Sequence, residues 1–155
     1  MDGNRFDFSK VDNFDKHIEM SIPNYGGLAK TFKGLVDYHS RERSTVIDIG
    51  CSTGKFLASI NKREQMEIIG YDEVDIIQYD IDFECGDASV LLPESVSQPF
   101  DISVVISMFT LQFLNLYERK RTIEAMGEVV RDGGKVLIAE KVILNDPELQ
   151  TQMFC

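Results

Sequence analysis

Apolar residues follow two different periods along the chain, and the two periods alternate. A spacing of three to four residues predicts a short helix over Asp12–Met20 and a clearer one over Tyr25–Tyr38. Short, β-branched and nearly continuous apolar runs predict strands. The five predicted strands are Thr45–Ile49, Glu67–Tyr71, Ile81–Cys85, Asp101–Met108 and Lys135–Ala139. Runs of this kind are typical of a parallel sheet with both faces covered.

Helical segments connect the predicted strands. We predict helices over Lys55–Asn61, from a cap at Asn115 to about Arg131, and beginning at Asp146. On the second of these, Leu116, Ile123, Met126 and Val130 are expected to form one apolar side. A crossover helix between the second and third strands has to fit within roughly Glu73–Tyr79, although a crossover usually takes at least about 10 residues. A proline-bounded loop over Leu92–Pro99 leads into the fourth strand. The alternation predicts a doubly wound α/β fold with a ligand cleft at the carboxyl ends of the strands.

The length of 155 residues fits one domain. We divide it into an amino-terminal helical cap (residues 1–43), a Rossmann-like core (44–144) and the start of an incomplete carboxyl-terminal helix (145–155). Sheets of this kind usually finish with an antiparallel hairpin beside the fifth strand, and we expect this chain to lack it. An open strand edge has to be paired or covered. We therefore predict that a second copy covers it, as a homodimer, or that the chain is a fragment of something longer.

Composition narrows the possible functions. The chain carries 26 acidic and 16 basic residues, for a net charge of −10, so extensive binding to nucleic acid is disfavoured. No apolar run approaches the roughly 20 residues that a membrane-spanning helix needs. The cysteines Cys51, Cys85 and Cys155 lack the spacing of a zinc site. We expect a cytoplasmic protein with neither a disulfide framework nor a metal site.

The sharpest chemical signal is the loop after the first predicted strand. Gly50 and Gly54 lack a Cβ, so the backbone can turn sharply and come close to a ligand. The loop opens onto a helix amino terminus, whose N–H groups can bind an anion. Asp48 stands two residues before Gly50, where it would repel a pyrophosphate but suit an ammonium group. This favours S-adenosylmethionine over a nicotinamide dinucleotide.

Two further carboxylates follow the next two strands. Asp72 lies 22 positions beyond Gly50, where a carboxylate can accept hydrogen bonds from a ribose diol. Asp87 follows the third strand and, beside Ala88, is placed to accept a hydrogen bond from an adenine amino group. Each aspartate taken alone is also compatible with a solvated turn or a helix cap. Three at successive strand ends favour one shared nucleotide site.

These segments resemble known motifs in their order along the chain. Those that resemble the class I S-adenosylmethionine-dependent methyltransferases are Asp48–Gly54, Asp72, Asp87, Phe100–Asp101 and Asp132–Gly134. A more specific set resembles the carboxy-S-adenosyl-L-methionine synthase family, namely Ser21–Tyr25, Gly50–Ser52, Phe109–Leu114 and Glu140–Lys141. The six consecutive residues of Phe109–Leu114 are the most distinctive part of that likeness.

The resemblance implies a cofactor, S-adenosyl-L-methionine or a derivative of it, and a set of residues that contact it. It assigns Tyr25, Gly50, Ser52, Asp72, Asp87 and Ala88 to the cofactor. The full predicted cofactor-binding set is Tyr25, Asp48, Gly50, Cys51, Ser52, Gly54, Asp72, Glu73, Asp87, Ala88 and Met108. Met108 stands where the family has an asparagine. No catalytic residue is identified.

The resemblance also implies a reaction. In that family prephenate supplies a carboxyl group to S-adenosylmethionine, and the product is later used to modify a tRNA wobble uridine. Two alternatives stay open: an ordinary small-molecule or tRNA methyltransferase, and a catalytically inactive module that binds S-adenosylmethionine. A nicotinamide-dependent oxidoreductase is disfavoured by Asp48.

Overall fold

Helices and strands alternate through the described parts of this computed structural model, which are residues 13–95, 101–130 and 133–142. The helices are α1 (Phe14–Ser21), α2 (Tyr25–His39), α3 (Lys55–Ala58), α4 (Ala88–Ser95) and α5 (Leu116–Val129). The strands are β1 (Ser44–Ile49), β2 (Glu67–Asp72), β3 (Asp82–Cys85), β4 (Asp101–Met108) and β5 (Lys135–Ala139). A single 3-10 turn, Leu111–Phe113, separates β4 from α5.

The five strands form one parallel sheet in the order β3-β2-β1-β4-β5. The predicted doubly wound α/β fold is confirmed. The chain moves outward from β1 to β3 on one side and from β4 to β5 on the other. The strand order therefore reverses between β1 and β4, and a ligand crevice opens at the carboxyl ends of strands at such a reversal.

The centre of the sheet is the most deeply buried part of the molecule. Every residue of β1 is buried, and so is every residue of β4 except Asp101. On one face Val46 and Val104 pack with side chains of α2 and α3, and on the other Ile47 and Val105 pack with α5. Burial on both faces explains why these strands are continuous apolar runs rather than alternating ones.

The pairing of β1 with β4 contains one irregularity. Thr45 pairs with Ile102, but the next residue, Val46, pairs with Val104, so the register passes over Ser103. The Ser103 hydroxyl lies 2.9 Å from the hydroxyl of Ser44 and donates to the carbonyl of Thr45. This bulge fixes the register of the two central strands close to the amino-terminal edge of the sheet.

The structure corrects the predicted connection between β2 and β3. No helix occurs in residues 73–80; the segment is irregular, and the Gln78 N–H donates to the carbonyl of Thr53. The segment is too short for a helical crossover, so it instead runs against the loop that follows β1. A helix does follow β3: α4 covers residues 88–95, so the loop predicted over Leu92–Pro99 is wrong as far as Ser95. The rest of that predicted loop lies outside the described residues.

Two predicted helices also differ in extent or orientation. Helix α3 ends at Ala58 rather than Asn61. Of the apolar side predicted for α5, Met126 is buried and Val130 packs against the core, whereas Leu116 is 82% exposed and Ile123 is 43% exposed. The side that faces the sheet consists of Thr122, Ala125, Met126 and Val129.

Several predictions fall beyond the described ranges. These are the helix beginning at Asp146, the absent carboxyl-terminal hairpin, and the motif residues Phe100 and Asp132. Within the described part β5 is the last strand of the sheet, with Val136 and Ile138 each more than one third exposed. The predicted covering of this edge stays a prediction. None of the described helices has the length and apolar character needed to cross a bilayer.

Candidate functional site

A cavity of about 1160 Å³ opens at the carboxyl ends of β1, β2 and β4, where the strand order reverses. The predicted cofactor-binding residues that line it are Tyr25, Asp48, Gly50, Cys51, Ser52, Asp72, Glu73, Asp87, Ala88 and Met108. Gly54 does not line it and lies at the start of α3 instead. The structure thus brings together the strand-end carboxylates that the sequence separates by up to 39 positions.

Gly50 makes room for a side chain as well as for a sharp turn. Its φ of 74° lies in the left-handed region, and a Cβ there would collide with Oγ1 of Thr110. Thr110 donates from that oxygen to the carbonyl of Ile49 at 3.0 Å. The glycine therefore lets the segment after β4 lie directly on the loop after β1.

Cys51 is a packing residue of the same loop. Its sulfur would lie 2.5 Å from a Cβ at Gly70, so the strand beside it has to carry a glycine. Burial raises the pKa of the Cys51 thiol well above its usual value, and the carboxylates of Asp48 and Asp72 raise it further. A thiol held neutral is a poor nucleophile, which agrees with a role in shaping the loop.

Asp48 is a buried carboxylate with no hydrogen-bond partner in the described part of the chain. It is 3% exposed and lines the cavity. Burial raises the pKa of Asp48 well above its usual value, and the neighbouring charge of Asp72 raises it further. An unpaired buried carboxylate is costly, so it favours binding of a cationic or hydrogen-bond-donating group in the cavity.

Asp72 holds the loop after β1 in place. Its Oδ2 accepts the N–H of Ser52 at 2.9 Å, and its Oδ1 accepts the N–H of Val74 at 3.0 Å. Burial raises the pKa of Asp72, and these N–H donors oppose the rise. A carboxylate offers about four lone-pair positions. Asp72 therefore retains capacity to accept hydrogen bonds from a ligand.

Asp87 acts first as a helix cap. Its Oδ1 accepts the N–H of Ser89 at 2.8 Å at the start of α4. Asp87 and Ala88 both line the cavity. The predicted contact with an adenine amino group stays a prediction, and it would use the acceptor capacity that the cap leaves free.

Helix α1 forms a wall of the cavity that sequence reasoning missed. Asp15 accepts a hydrogen bond from the Thr53 hydroxyl at 2.8 Å and another from the Tyr79 hydroxyl at 3.4 Å. Lys55 contacts Glu19 at 3.1 Å. These contacts join residues 36 to 64 positions apart, and no local pattern marks them.

Tyr25 lies at the start of α2 and lines the cavity, near the carboxylates of Asp48 and Asp15 and near the ring of Phe109. Burial raises the pKa of Tyr25 to about 12, with further contributions from Asp48 and Asp15. Its ring centroid is 6.3 Å from that of Phe109. Tyr25 is therefore a neutral hydroxyl at physiological pH, able to donate to a ligand.

The segment after β4 forms another wall of the cavity. Phe109, Thr110, Gln112, Phe113 and Leu114 line the cavity beside Met108. No group of three His, Cys, Asp or Glu side chains within the described ranges is arranged to hold a metal ion.

Glu140 and Arg119 lie behind that wall and hold its backbone. Glu140 accepts the N–H groups of Leu111 and Gln112 at 2.7 and 3.2 Å. Arg119 donates to the carbonyls of Leu111 and Leu114 at 2.9 and 3.1 Å. Burial raises the pKa of Glu140, and the backbone N–H donors and Arg119 oppose the rise.

Known proteins share this fold. An S-adenosylmethionine-bound amino pentose methyltransferase from Micromonospora echinaspora superposes with a TM-score of 0.64 at 16% identity, covering 89% of this chain and 58% of that one. A methyltransferase from Archaeoglobus fulgidus gives a TM-score of 0.63 at 17% identity, covering 92% of this chain and 72% of that one. The fold is that of the class I S-adenosylmethionine-dependent methyltransferases.

The sequence itself resembles one group of proteins with a name in common. A carboxy-S-adenosyl-L-methionine synthase from Photobacterium profundum is 30% identical over 153 residues, covering 92% of this chain and 63% of the synthase. The resemblance predicted from the sequence is confirmed. The chain spans less than two thirds of the length of this relative. No family model matches the chain.

Proposed function

We propose that the chain binds S-adenosyl-L-methionine, or a derivative of it, and transfers a one-carbon group, as a relative of the carboxy-S-adenosyl-L-methionine synthases. The observation that carries the proposal is Asp48, a buried carboxylate without a hydrogen-bond partner in the described chain, at the carboxyl end of the central strand of a methyltransferase fold. Such a group suits the ammonium of a methionine moiety.

The volume of the cavity is sufficient for such a cofactor together with a second small molecule. Small-molecule pockets usually measure about 300 to 1000 Å³, and this cavity of about 1160 Å³ is larger. Asp72 keeps acceptor capacity for ribose hydroxyls, and Asp87 with Ala88 lies beyond it at the next strand end. Asp48, Asp72 and Asp87 thus follow each other along the rim of the cavity, in the order of the methionine, ribose and adenine parts of the cofactor.

The remaining predicted residues complete this binding role. Gly50, Cys51, Ser52 and Gly54 shape the loop, Glu73 adds a carboxylate beside Asp72, and Tyr25 and Met108 line the same cavity. The bound cofactor would supply an activated one-carbon group on sulfur. The chain itself would bind, orient and exclude water, and alignment of two reactants can supply a large part of a rate enhancement.

We propose further that the second substrate is prephenate, that the product serves tRNA modification in the cytoplasm, and that the protein acts as a homodimer. The first two points are what the resemblance to the carboxy-S-adenosyl-L-methionine synthase family implies. The dimer is proposed from the exposure of β5, the last strand of the described sheet. Direct contact with nucleic acid is not part of the proposal, because the net charge is −10.

The test is a binding measurement followed by product analysis. Calorimetry with S-adenosylmethionine should show binding by the wild-type chain and at least tenfold weaker binding by Asp48→Asn, because the amide cannot become the anion that pairs with an ammonium group. The exposed Asp80→Asn, with the same change in charge, is the control. Mass spectrometry after addition of prephenate should then show a nucleotide that has gained a carboxyl group.

Each outcome decides between the candidates. Absence of binding by the wild type would refute the proposal. Tight binding without product would favour an inactive cofactor-binding module, and S-adenosylhomocysteine formed with a methylated acceptor would favour an ordinary methyltransferase.

A further inference from the structure

The turn after β4 is held from behind by two side chains of opposite charge. The Glu140 carboxylate, just past the end of β5, accepts two successive backbone N–H groups, those of Leu111 and Gln112. The Arg119 guanidinium, from α5, donates to the carbonyls of Leu111 and Leu114. Donors and acceptors of one short turn are thus satisfied by fixed charges from two different elements.

This turn begins in an unfavourable backbone conformation. Phe109 has a φ of 60°, which a bulky residue adopts at a cost of about 1–3 kcal/mol. Its N–H donates to the carbonyl of Ala139 at 2.7 Å, so β5 holds this residue as well. Strain of this size persists only where the surrounding contacts determine the geometry.

The other surface of the turn is a wall of the cavity. Thr110, Gln112 and Phe113 line it, while Glu140 and Arg119 are not among the described residues that do. The residues that hold the turn thus differ from the residues that face a ligand. The acceptors proposed for the cofactor are Asp48 in β1, Asp72 at the end of β2 and Asp87 after β3, so they lie on the other side of the strand-order reversal from β5 and Glu140.

We propose that Glu140, supported by Arg119, is a positioning residue that fixes the wall against which a second substrate is aligned, and that it has little influence on binding of the cofactor. The inference rests on the proposed function for the identity of the two ligands. Glu140 acts on the turn through its backbone N–H groups, among them those of Leu111 and Gln112.

Glu140→Gln tests this with a nearly isosteric change. The amide offers one oxygen, so one of the two N–H groups loses its acceptor and faces a donor instead. Exposed Glu128→Gln in α5 is the matched control. Amide hydrogen exchange, resolved by NMR, should quicken about tenfold at Leu111 and Gln112 in Glu140→Gln and stay unchanged in the control.

Ligand measurements separate positioning from general structural support. We expect the Kd for S-adenosylmethionine to stay within about twofold of wild type, while kcat with prephenate at saturating S-adenosylmethionine falls about tenfold, because misplacement by about 1 Å can cost more than that. The amide shifts of Leu111 and Gln112 should titrate with Glu140 in the wild type, above the usual pKa range of a glutamate, and lose this titration in Glu140→Gln.

Three results would overturn the proposal: unchanged exchange at Leu111 and Gln112, an unchanged kcat, or a Kd that weakens as much as kcat falls. If Glu140→Gln does not fold, Arg119→Lys provides the same test, because it keeps the charge but loses the planar fork that reaches both carbonyls. If the wild type fails to bind S-adenosylmethionine, the proposed function is refuted, and amide exchange still decides whether Glu140 positions the turn.

Discussion

Asp72 and Glu140 have comparable structural roles on opposite sides of the two central strands. Asp72 ends β2 and accepts the Ser52 N–H of the loop after the neighbouring β1 as well as the N–H of Val74, and Glu140 follows β5 and accepts N–H groups of the turn after the neighbouring β4. The difference lies in exposure to the cavity. Asp72 lines it, whereas Glu140 lies behind it. One carboxylate can therefore serve both a loop and a ligand, and the other serves a loop alone.

In this parallel sheet the central strands and their outer neighbours contribute different parts of the site. The two central strands carry the loops that face the ligand, and each outer neighbour supplies a carboxylate that holds one loop. Because backbone N–H groups in such loops have no partner within the sheet, an acceptor from the adjacent strand end satisfies them. Replacing either carboxylate should therefore affect a different ligand.

The largest expected effect is that of Asp72→Asn on cofactor binding. The amide cannot accept both the Ser52 and Val74 N–H groups and also bond to a ligand hydroxyl as a carboxylate does. Loss of two charged hydrogen bonds, each worth about 1.5 kcal/mol, predicts a Kd for S-adenosylmethionine about 100-fold weaker by calorimetry. A change below threefold, or an equal change in exposed Asp80→Asn, would show that Asp72 serves the loop only.

A smaller effect is expected at Gly50, where the loop after β1 contacts the segment after β4. Gly50→Ala would place a Cβ against Thr110 in a left-handed backbone conformation, so we expect a loss of about 2 kcal/mol in the free energy of unfolding, measured with urea. Gly127→Ala in α5, where a Cβ meets no atom within 4 Å, should be neutral or stabilising.

A double-mutant cycle checks the cause of this loss. Thr110→Ala removes the atoms nearest to the added Cβ, so the double variant with Gly50→Ala should lose less than the sum of the two single variants. Strict additivity would mean that the two loops do not constrain each other.

The smallest effect concerns the pH dependence of the free protein. Because burial raises the pKa of Asp48, the folded chain binds more protons than the unfolded chain between the unfolded and folded pKa values, so this residue makes the protein less stable as pH rises above the usual aspartate pKa. Asp48→Asn should remove this decline and raise the Tm near neutral pH, by about 2–4 °C for each kcal/mol gained. Thermal unfolding from pH 4 to pH 8 measures it, and a lower Tm in the variant would contradict it.

The sequence predicted the strands and the carboxylates at their ends because both depend on local pattern. Continuous apolar runs indicated the central strands, and Asp48, Asp72 and Asp87 lie at or directly after strand ends. The parallel order then places such residues at one edge. The cavity could be located from the sequence for this reason.

What the sequence could not predict are contacts between distant segments. Thr110 occupies the space beside Gly50 and bonds to a carbonyl 61 positions away, and Asp15 contacts the hydroxyl of Thr53 from 38 positions away. For α5 the sequence predicted Met126 correctly but missed the small residues Thr122 and Ala125, which face the sheet while Leu116 does not. Protein interiors are closely packed, so small side chains are buried where a helix lies close to the sheet.

The bulge at Ser103 also decides which side chain of β4 lines the cavity. Side chains along a strand alternate between the two faces, so one extra residue reverses the orientation of every residue after it. Val104, Ile106 and Met108 belong to the face packed with α2 and α3, whereas Ile102, before the bulge, belongs to the opposite face. If β4 were regular at Ser103, every residue after it would face the other side of the sheet. Ser107 would then take the place of Met108 at the cavity. The polarity of this part of the cavity lining is therefore set by an irregularity near the far end of the same strand.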